Sequence, residues 1–392
     1  MSTRLATIFP QNLGLDVQSE KKRDYAGLDL IRFFAAALVM IYHLGYWDWV
    51  QPDTAVAPYK EAFGPAFPIM SAAWVGVPIF FVLSGFVISL SAMGRSPFSF
   101  VTSRVLRLYP GAWLCGLVLI ALYVFQGDVA GLLDKVVRSM TLWPIGPWLS
   151  GVYWTLAIEI SFYLLFFLGM TLGSRDIGIK IAWLLALSNI AYLLARIIDR
   201  LAGGHFSDAL NFFQSPQGSL FLLSRGSYFA FGIALWARTT QGWTRSIIAL
   251  TACSATTASI HLSLEDVYLI QRSALPQWWV LGPVAIWMLA VASLVYATSP
   301  NSIFEGMSPG LRRRVKLLGL MTYPLYLLHA NVGNAVMLKL TDAPPIMSLL
   351  AATAILLVLC LAVVRSETHV RRGLAHIFHA RNRPKMQVSQ LP

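Results

Sequence analysis

A chain of 392 residues that is 57% hydrophobic and only 12% charged, with a mean hydropathy of +0.63, is not an ordinary water-soluble globule. Soluble domains carry about a quarter charged residues, so the composition reads as an all-α, polytopic membrane protein. The formal charge of +12 comes from basic residues dispersed among loops, which argues against nucleic acid and for anionic lipid headgroups as the partner.

About ten transmembrane helices are expected, over 28–46, 71–92, 111–126, 150–172, 179–197, 218–237, 245–263, 277–297, 316–338 and 346–364. Both termini then face one side, and that side carries about three times as many Lys and Arg as the other. The positive-inside rule makes it the cytoplasm, in a multi-pass protein of the cell inner membrane. Three regions result: a cytoplasmic tail over 1–23, one membrane domain over 24–364 and a basic amphipathic cytoplasmic tail over 365–392. No cleavable signal peptide is expected, because the first 27 residues are polar and the first apolar run exceeds an h-region.

The first span reads LDLIRFFAAALVMIYHLGY, with Arg32 and His43 among apolar residues. Eleven residues at about 100° each make three turns plus about 20°, so the two side chains share a helix face, and Asp29 joins it. Ionisable groups in a membrane helix are costly and are functional candidates by default. The structural alternative is a buried Asp29–Arg32 pair with a hydrogen-bonded core histidine. His43 and Asp48 also form H-x4-D, but five residues are about 140° apart on a helix. The pattern reads as coincidence unless the helix ends near Gly45.

The second span contains VGVPIFFVLSGFVISL, with Ser84 and Gly85 in an apolar run. The segment after it, SRVLRLYP, reads as a loop with Arg104 and Arg107 three apart. These arginines are either positive-inside anchors or a grip for an anionic phosphate ligand from the cytosol. Arg95 joins them on that side. The outer loops 47–70 and 127–149 are rich in Pro and aromatics, which suits an interfacial belt or a sugar-stacking surface.

Further polar residues sit in later spans. Glu159 is the only acid of the fourth span, with Thr155 and Tyr163 one turn away on its face. Arg225 stands between Ser224 and Ser227 in the sixth. In the ninth, Thr322, Tyr326 and His329 share a face and Pro324 is expected to kink the helix. At about 1.5 Å rise per residue, His43 lies about 22 Å, His329 about 20 Å and Glu159 about 17–20 Å from the inner boundary. Arg225 lands at a similar level. This slab reads as a shared catalytic cavity, with two histidines and a carboxylate suited to proton transfer, or as a structural polar network.

Cys115, Cys253 and Cys360 lie in spans and read as packing residues, with no disulfide or metal spacing. In the C-terminal tail, Val370, Leu374, Ile377 and Phe378 form an apolar stripe flanked by Arg371, Arg372 and Arg381, which reads as an amphipathic helix on the inner leaflet. No internal repeat is evident, which weakens an inverted-repeat transporter.

Five motifs in order, GLDLIRFFAAALVMIYH, GVPIFFVLSGFVIS, SRVLRLYP, YWTLAIEISFYL and YPLYLLHA, give the chain its family likeness. Over residues 24–338 it resembles the acyltransferase-3 group of integral-membrane acyltransferases, which O-acylate bacterial surface carbohydrates. The resemblance implies an acyl-CoA donor on the cytosolic side, usually acetyl-CoA, no metal, and a carbohydrate hydroxyl as acceptor. By it His43 is the catalytic residue, Arg32 its motif partner, and Arg104 and Arg107 the coenzyme A element. Glu159 matches the acid of W-(S/T)-L-x-x-E, with Thr155 where Ser is commoner. Some relatives carry a fused extracytoplasmic hydrolase-like domain, which is not expected here. A second transfer step would need a partner transferase or glycan-assembly protein, unless the membrane domain acts directly.

The mechanism expected from these residues has Arg104 and Arg107 on the donor phosphates and the thioester passing near Ser84. His43 acts as general base or as transient acyl carrier, Glu159 orients it, and Arg225 or Tyr326 faces the oxyanion. The rival reading is a proton-coupled transporter or flippase of a lipid-linked saccharide, using the same ionisable residues as a relay. A lipid acyltransferase is a third.

Overall fold

The computed structural model describes residues 25–47, 63, 66–173, 176–273, 279 and 281–381. The N-terminal tail over 1–23, Asp48 and most of the first outer loop lie outside the described residues. Every regular element among those described is helical. In chain order the helices are α1 (Ala26–Tyr42), α2 (Ala66–Ala72), α3 (Gly76–Ala92), α4 (Pro97–Gln126), α5 (Leu132–Met140), α6 (Tyr153–Thr171) and α7 (Ile177–Leu201). They continue with α8 (Ser207–Phe212), α9 (Gly226–Gln241), α10 (Arg245–Ser273), α11 (Leu281–Ala297), α12 (Pro309–Leu328), α13 (Asn334–Lys339) and α14 (Pro345–Arg381).

Among the described residues, eight helical segments are long and apolar enough to cross a membrane, so the chain is a polytopic all-α membrane protein. Two of the ten expected spans miss that criterion. The eighth is α11, at 17 residues. The ninth is α12, whose first turns carry Arg312, Arg313, Arg314 and Lys316 and are too polar to count as apolar.

The third span differs from its expected form. It begins at Pro97 rather than near Gly111, so SRVLRLYP belongs to α4 and not to a loop. Ser96 caps the start, its Oγ accepting from the Ser99 amide at 3.3 Å, and Pro97 occupies the first turn, where its missing N–H is harmless. Pro110 sits inside the helix. Arg104 and Arg107 are therefore neighbours one turn apart on one helix. At the other end, α14 runs unbroken through the expected boundary at 364. Glu367 is buried there and paired with Arg371 one turn on. The side chains of Ile377, Phe378 and Arg381, half of the expected surface stripe, lie outside the described residues.

Helices α3 and α9 cross in close contact. A Cβ on Gly85 would stand 2.2 Å from the Phe229 carbonyl oxygen, and one on Gly232 would stand 2.0 Å from that of Val82. Only glycine permits backbones this close, as at small-residue crossings of membrane helices. Helix α1 packs on α12 and α3, which brings its polar stripe into the interior. Cys115 and Cys360 are buried and Cys253 half-buried, all as thiols.

Both α1 and α12 end in a π-helical turn. One spans His43–Trp47 and the other His329–Gly333, so each opens on a histidine. A π turn widens the helix by one residue and rotates the side chains beyond it. Here it sits where the two histidines meet.

Candidate active site

Two adjoining cavities among the described residues gather the polar side chains of the spans. The narrower, about 120 Å³, is lined by Arg32, Ser84, Arg104, Arg107, Thr155, Glu159, Tyr163 and Tyr326. The wider, about 540 Å³, is lined by Tyr42, His43, Trp47, Trp74, Trp154, Arg225, His261, Glu265 and Tyr326. Val77, Phe81 and Tyr326 belong to both and form the common wall. The stripe on α1 thus serves two chambers, Arg32 in the narrow one and His43 in the wide one.

In the narrow cavity, Arg32 donates to Asp29 Oδ1 at 2.9 Å, one turn before it on α1. Among the described residues, Arg104 donates only to Ser103 Oγ at 3.3 Å and lies over the Phe100 and Tyr163 rings at 5.7 and 5.9 Å. Neither Arg104 nor Arg107 has a carboxylate at ion-pair distance among the described residues. Two guanidinium groups without counter-ions, beside a single carboxylate, leave this chamber with surplus positive charge in a low-dielectric setting. That arrangement suits an anionic ligand.

Glu159 Oε1 accepts from Ser84 Oγ at 2.8 Å and from Tyr163 OH at 2.7 Å. The Ser84 bond ties α6 to α3 and commits the Ser84 hydroxyl, while the Tyr163 bond lies within α6. Glu159 was expected to orient His43, and the structure corrects this. The carboxylate lines the arginine chamber, across the common wall from the imidazole. Depth along a helix gives height in the bundle but not direction, and α6 turns Glu159 toward α3.

The partner of His43 is His329. His43 Nδ1 is 2.9 Å from the Val39 carbonyl oxygen and 3.1 Å from His329 Nε2. His329 Nδ1 is 3.2 Å from the Leu325 carbonyl oxygen. A carbonyl only accepts, so both Nδ1 atoms carry hydrogens. The His43 Nδ1–H is then shared between Val39 and His329 Nε2, and in the neutral ring His43 Nε2 holds a lone pair. Nε2 makes no hydrogen bond among the described residues. This is a base held by a third group, the arrangement general-base catalysis needs. His329 is fully buried, while His43 is partly exposed to its cavity.

Tyr326 and Arg225 fall differently from the expected pair of oxyanion donors. Tyr326 OH is 2.8 Å from Thr155 Oγ1, which itself donates to the Val152 carbonyl at 2.9 Å. Thr155 has one hydrogen and has spent it, so the Tyr326 hydroxyl donates to Thr155 and is not free for an oxyanion. Arg225 lines the wide cavity with His43. Its Nη1 donates to Ser219 Oγ and Ser224 Oγ, both at 3.1 Å, and its guanidinium lies 5.1 Å over the Trp154 ring.

Sequence reasoning misses the far wall of this cavity. His261 and Glu265 on α10 face each other at 3.7 Å, and His261 Nδ1 is 3.1 Å from Tyr228 OH. Their i, i+4 spacing is the signal that could have found them. Among the described residues, no group of three His, Cys, Asp or Glu is placed to hold a metal.

A family model described as an acyltransferase domain matches residues 25–365. Nodulation protein 10 of Rhizobium leguminosarum bv. viciae is 31% identical over 160 residues, covering 35% of this chain and 41% of that protein. The match therefore spans under half of that relative's length. No solved structure matches the chain.

Proposed function

This chain belongs to the acyltransferase-3 family of membrane acyltransferases, and from that premise we propose that it moves an acyl group, acetyl in the first instance, from cytosolic acyl-CoA to a hydroxyl of a cell-surface or exported carbohydrate. The observation that carries this reading is the contact of His43 Nδ1 with the Val39 carbonyl oxygen, from which its tautomer follows. Its Nδ1–H is bound by Val39 and His329, which leaves Nε2 as the proton acceptor on the wall of a wide cavity.

The donor enters the narrow chamber. Its phosphates meet Arg104 and Arg107, whose guanidinium groups lack carboxylate partners among the described residues, and its acyl end passes Val77, Phe81 and Tyr326, which the chambers share, to present the thioester to the wide one. The acceptor hydroxyl occupies the wide chamber. His43 Nε2 takes the hydroxyl proton as the oxygen attacks the thioester carbonyl. The tetrahedral adduct collapses with cleavage of the C–S bond, and the imidazolium returns its proton to the leaving thiolate. This direct route uses the lone pair at Nε2 and requires no covalent acyl-histidine. Arg32, oriented by Asp29, lines the donor side, and Glu159 holds Ser84 and Tyr163 in place around the donor.

The test is purified protein in lipid nanodiscs with acetyl-CoA labelled in the acetyl group and a surface-glycan fraction. Label on the glycan, lost in His43→Ala at equal protein level, is the expected result. Label in the lipid fraction would instead identify a lipid acyltransferase. Saccharide crossing the bilayer without acylation would identify a transporter or flippase.

A further inference from the structure

We infer that the wide cavity selects an acceptor whose glycosyl unit carries an anionic group, a sugar carboxylate or a phosphate, and that Arg225 is the residue that reads it. This deepens the acyltransferase reading and rests on it. Three independent features of the cavity carry the inference.

The first is the bonding of Arg225. Its Nη1 is held by Ser219 and Ser224, while Nε and Nη2 make no hydrogen bond among the described residues. No carboxylate lies at ion-pair distance from it there. A guanidinium kept in a membrane interior without a counter-ion is costly. It is held there by two hydroxyls and by the face of Trp154. Two donors of the fork remain for a ligand, and a fork is the shape that pairs with carboxylate or phosphate.

The second is placement. Arg225 immediately precedes Gly226, the first residue of α9. The positive end of a 16-residue helix therefore adds its field to the same spot. The third is the rest of the lining. Trp47, Trp74 and Trp154 line the cavity, with His261 and Glu265 beside them. His261 Nε2 and Glu265 Oε1 stand 3.7 Å apart and have no hydrogen-bond partner among the described residues. Aromatic faces with polar atoms between them suit a pyranose ring, whose C–H faces stack while its hydroxyls bond at the edge.

The test is tryptophan-fluorescence titration of the purified full chain with three probes: methyl β-glucuronide, glucose 1-phosphate and methyl β-glucoside. At least one anionic probe is expected to bind about tenfold more tightly than the neutral glucoside. The anionic probe preferred tells carboxylate from phosphate. Arg225→Gln should erase the preference, and Arg225→Lys should keep part of it, since the charge remains but the fork is lost. Equal binding of all three probes, no saturable binding of any, or a preference that survives Arg225→Gln overturns the inference. The wild-type comparison alone decides the first two outcomes, whatever the stability of the variants. Acetyl-CoA binding is titrated in parallel. Donor binding without anionic preference defeats this inference and leaves the acyltransferase reading standing. Anionic preference without donor binding counts against that reading instead.

Discussion

His43 and His329 are 286 positions apart in the chain, and their rings meet with Nδ1 of the first 3.1 Å from Nε2 of the second. Each opens a π-helical turn, one closing α1 and the other closing α12. The two helices deliver one imidazole each to the same point, and the backbone carbonyls of Val39 and Leu325 set which nitrogen carries the proton.

This relationship separates the two histidines by role. His43→Ala removes the proton acceptor and should lower kcat by about 10²- to 10⁴-fold, the range of a lost general base. In His329→Leu the His43 Nδ1–H keeps its bond to Val39, so the tautomer survives and only the second acceptor is gone. A loss of about fivefold in kcat is expected from the missing hydrogen bond, about 1 kcal/mol, with KM for both substrates unchanged. Steady-state acyl transfer by the two variants measures this. Equal losses would show that His329 itself carries the proton.

Arg104 and Arg107 should act on donor affinity and not on the chemical step. A charge-assisted hydrogen bond is worth about 1.5–3 kcal/mol, so alanine at either position should weaken acyl-CoA binding by about 10- to 100-fold. The loss should shrink at high salt, where the phosphates are screened. Titration of each variant with a non-hydrolysable acyl-CoA thioether reads this directly. Undiminished affinity in both variants would reduce the pair to topological anchors.

Much of this site is legible in the sequence, because a lone charge in an apolar run is a local signal. Arg32, His43, Glu159, Arg225 and His329 stand out for that reason. Their partners are not legible. Glu159 and His43 have similar estimated depths, yet the azimuth of α6 puts the carboxylate beside Ser84 and the wall containing Tyr326 between it and the imidazole. The start of α4 is hidden because Arg104 and Arg107 lower the hydropathy of its first three turns, so a sliding window opens only at Gly111. His261 and Glu265 escape because the carboxylate falls just past the end of the apolar window. The fold class is the most readable part, since hydrophobic length alone demands membrane helices.

Tyr326 tests whether a hydroxyl at the common wall takes part in the reaction. Its proton is committed to Thr155 on α6, so Tyr326→Phe should cost about 0.5–1.5 kcal/mol of stability. Turnover should stay within about twofold of wild type, because no oxyanion donor is lost. Thermal melting in detergent followed by single-turnover acyl transfer separates the two effects. A hundredfold slower chemical step in a well-folded variant would return the hydroxyl to the oxyanion.

Glu159 is the harder residue to assign, because two substitutions that both remove its charge have different structural consequences. Its Oε1 is the shared acceptor of Ser84 and Tyr163. Glu159→Gln keeps a carbonyl oxygen there and preserves both bonds. Glu159→Ala strands two part-buried hydroxyl donors, each an unpaired polar group worth about 1–3 kcal/mol. The alanine variant should therefore melt markedly lower than the glutamine variant, which should stay near wild type. The glutamine variant should also bind acyl-CoA more tightly, since the one carboxylate among the lining side chains of the arginine chamber is gone and the attraction for phosphate rises. Its kcat should change little, because Glu159 makes no contact with His43. Melting curves and acyl-CoA titrations of the two variants, beside kcat, give three independent readouts. A glutamine variant that melts normally but has lost turnover by about 10²-fold or more would make the negative charge itself part of the chemistry and defeat the scaffold role of this residue.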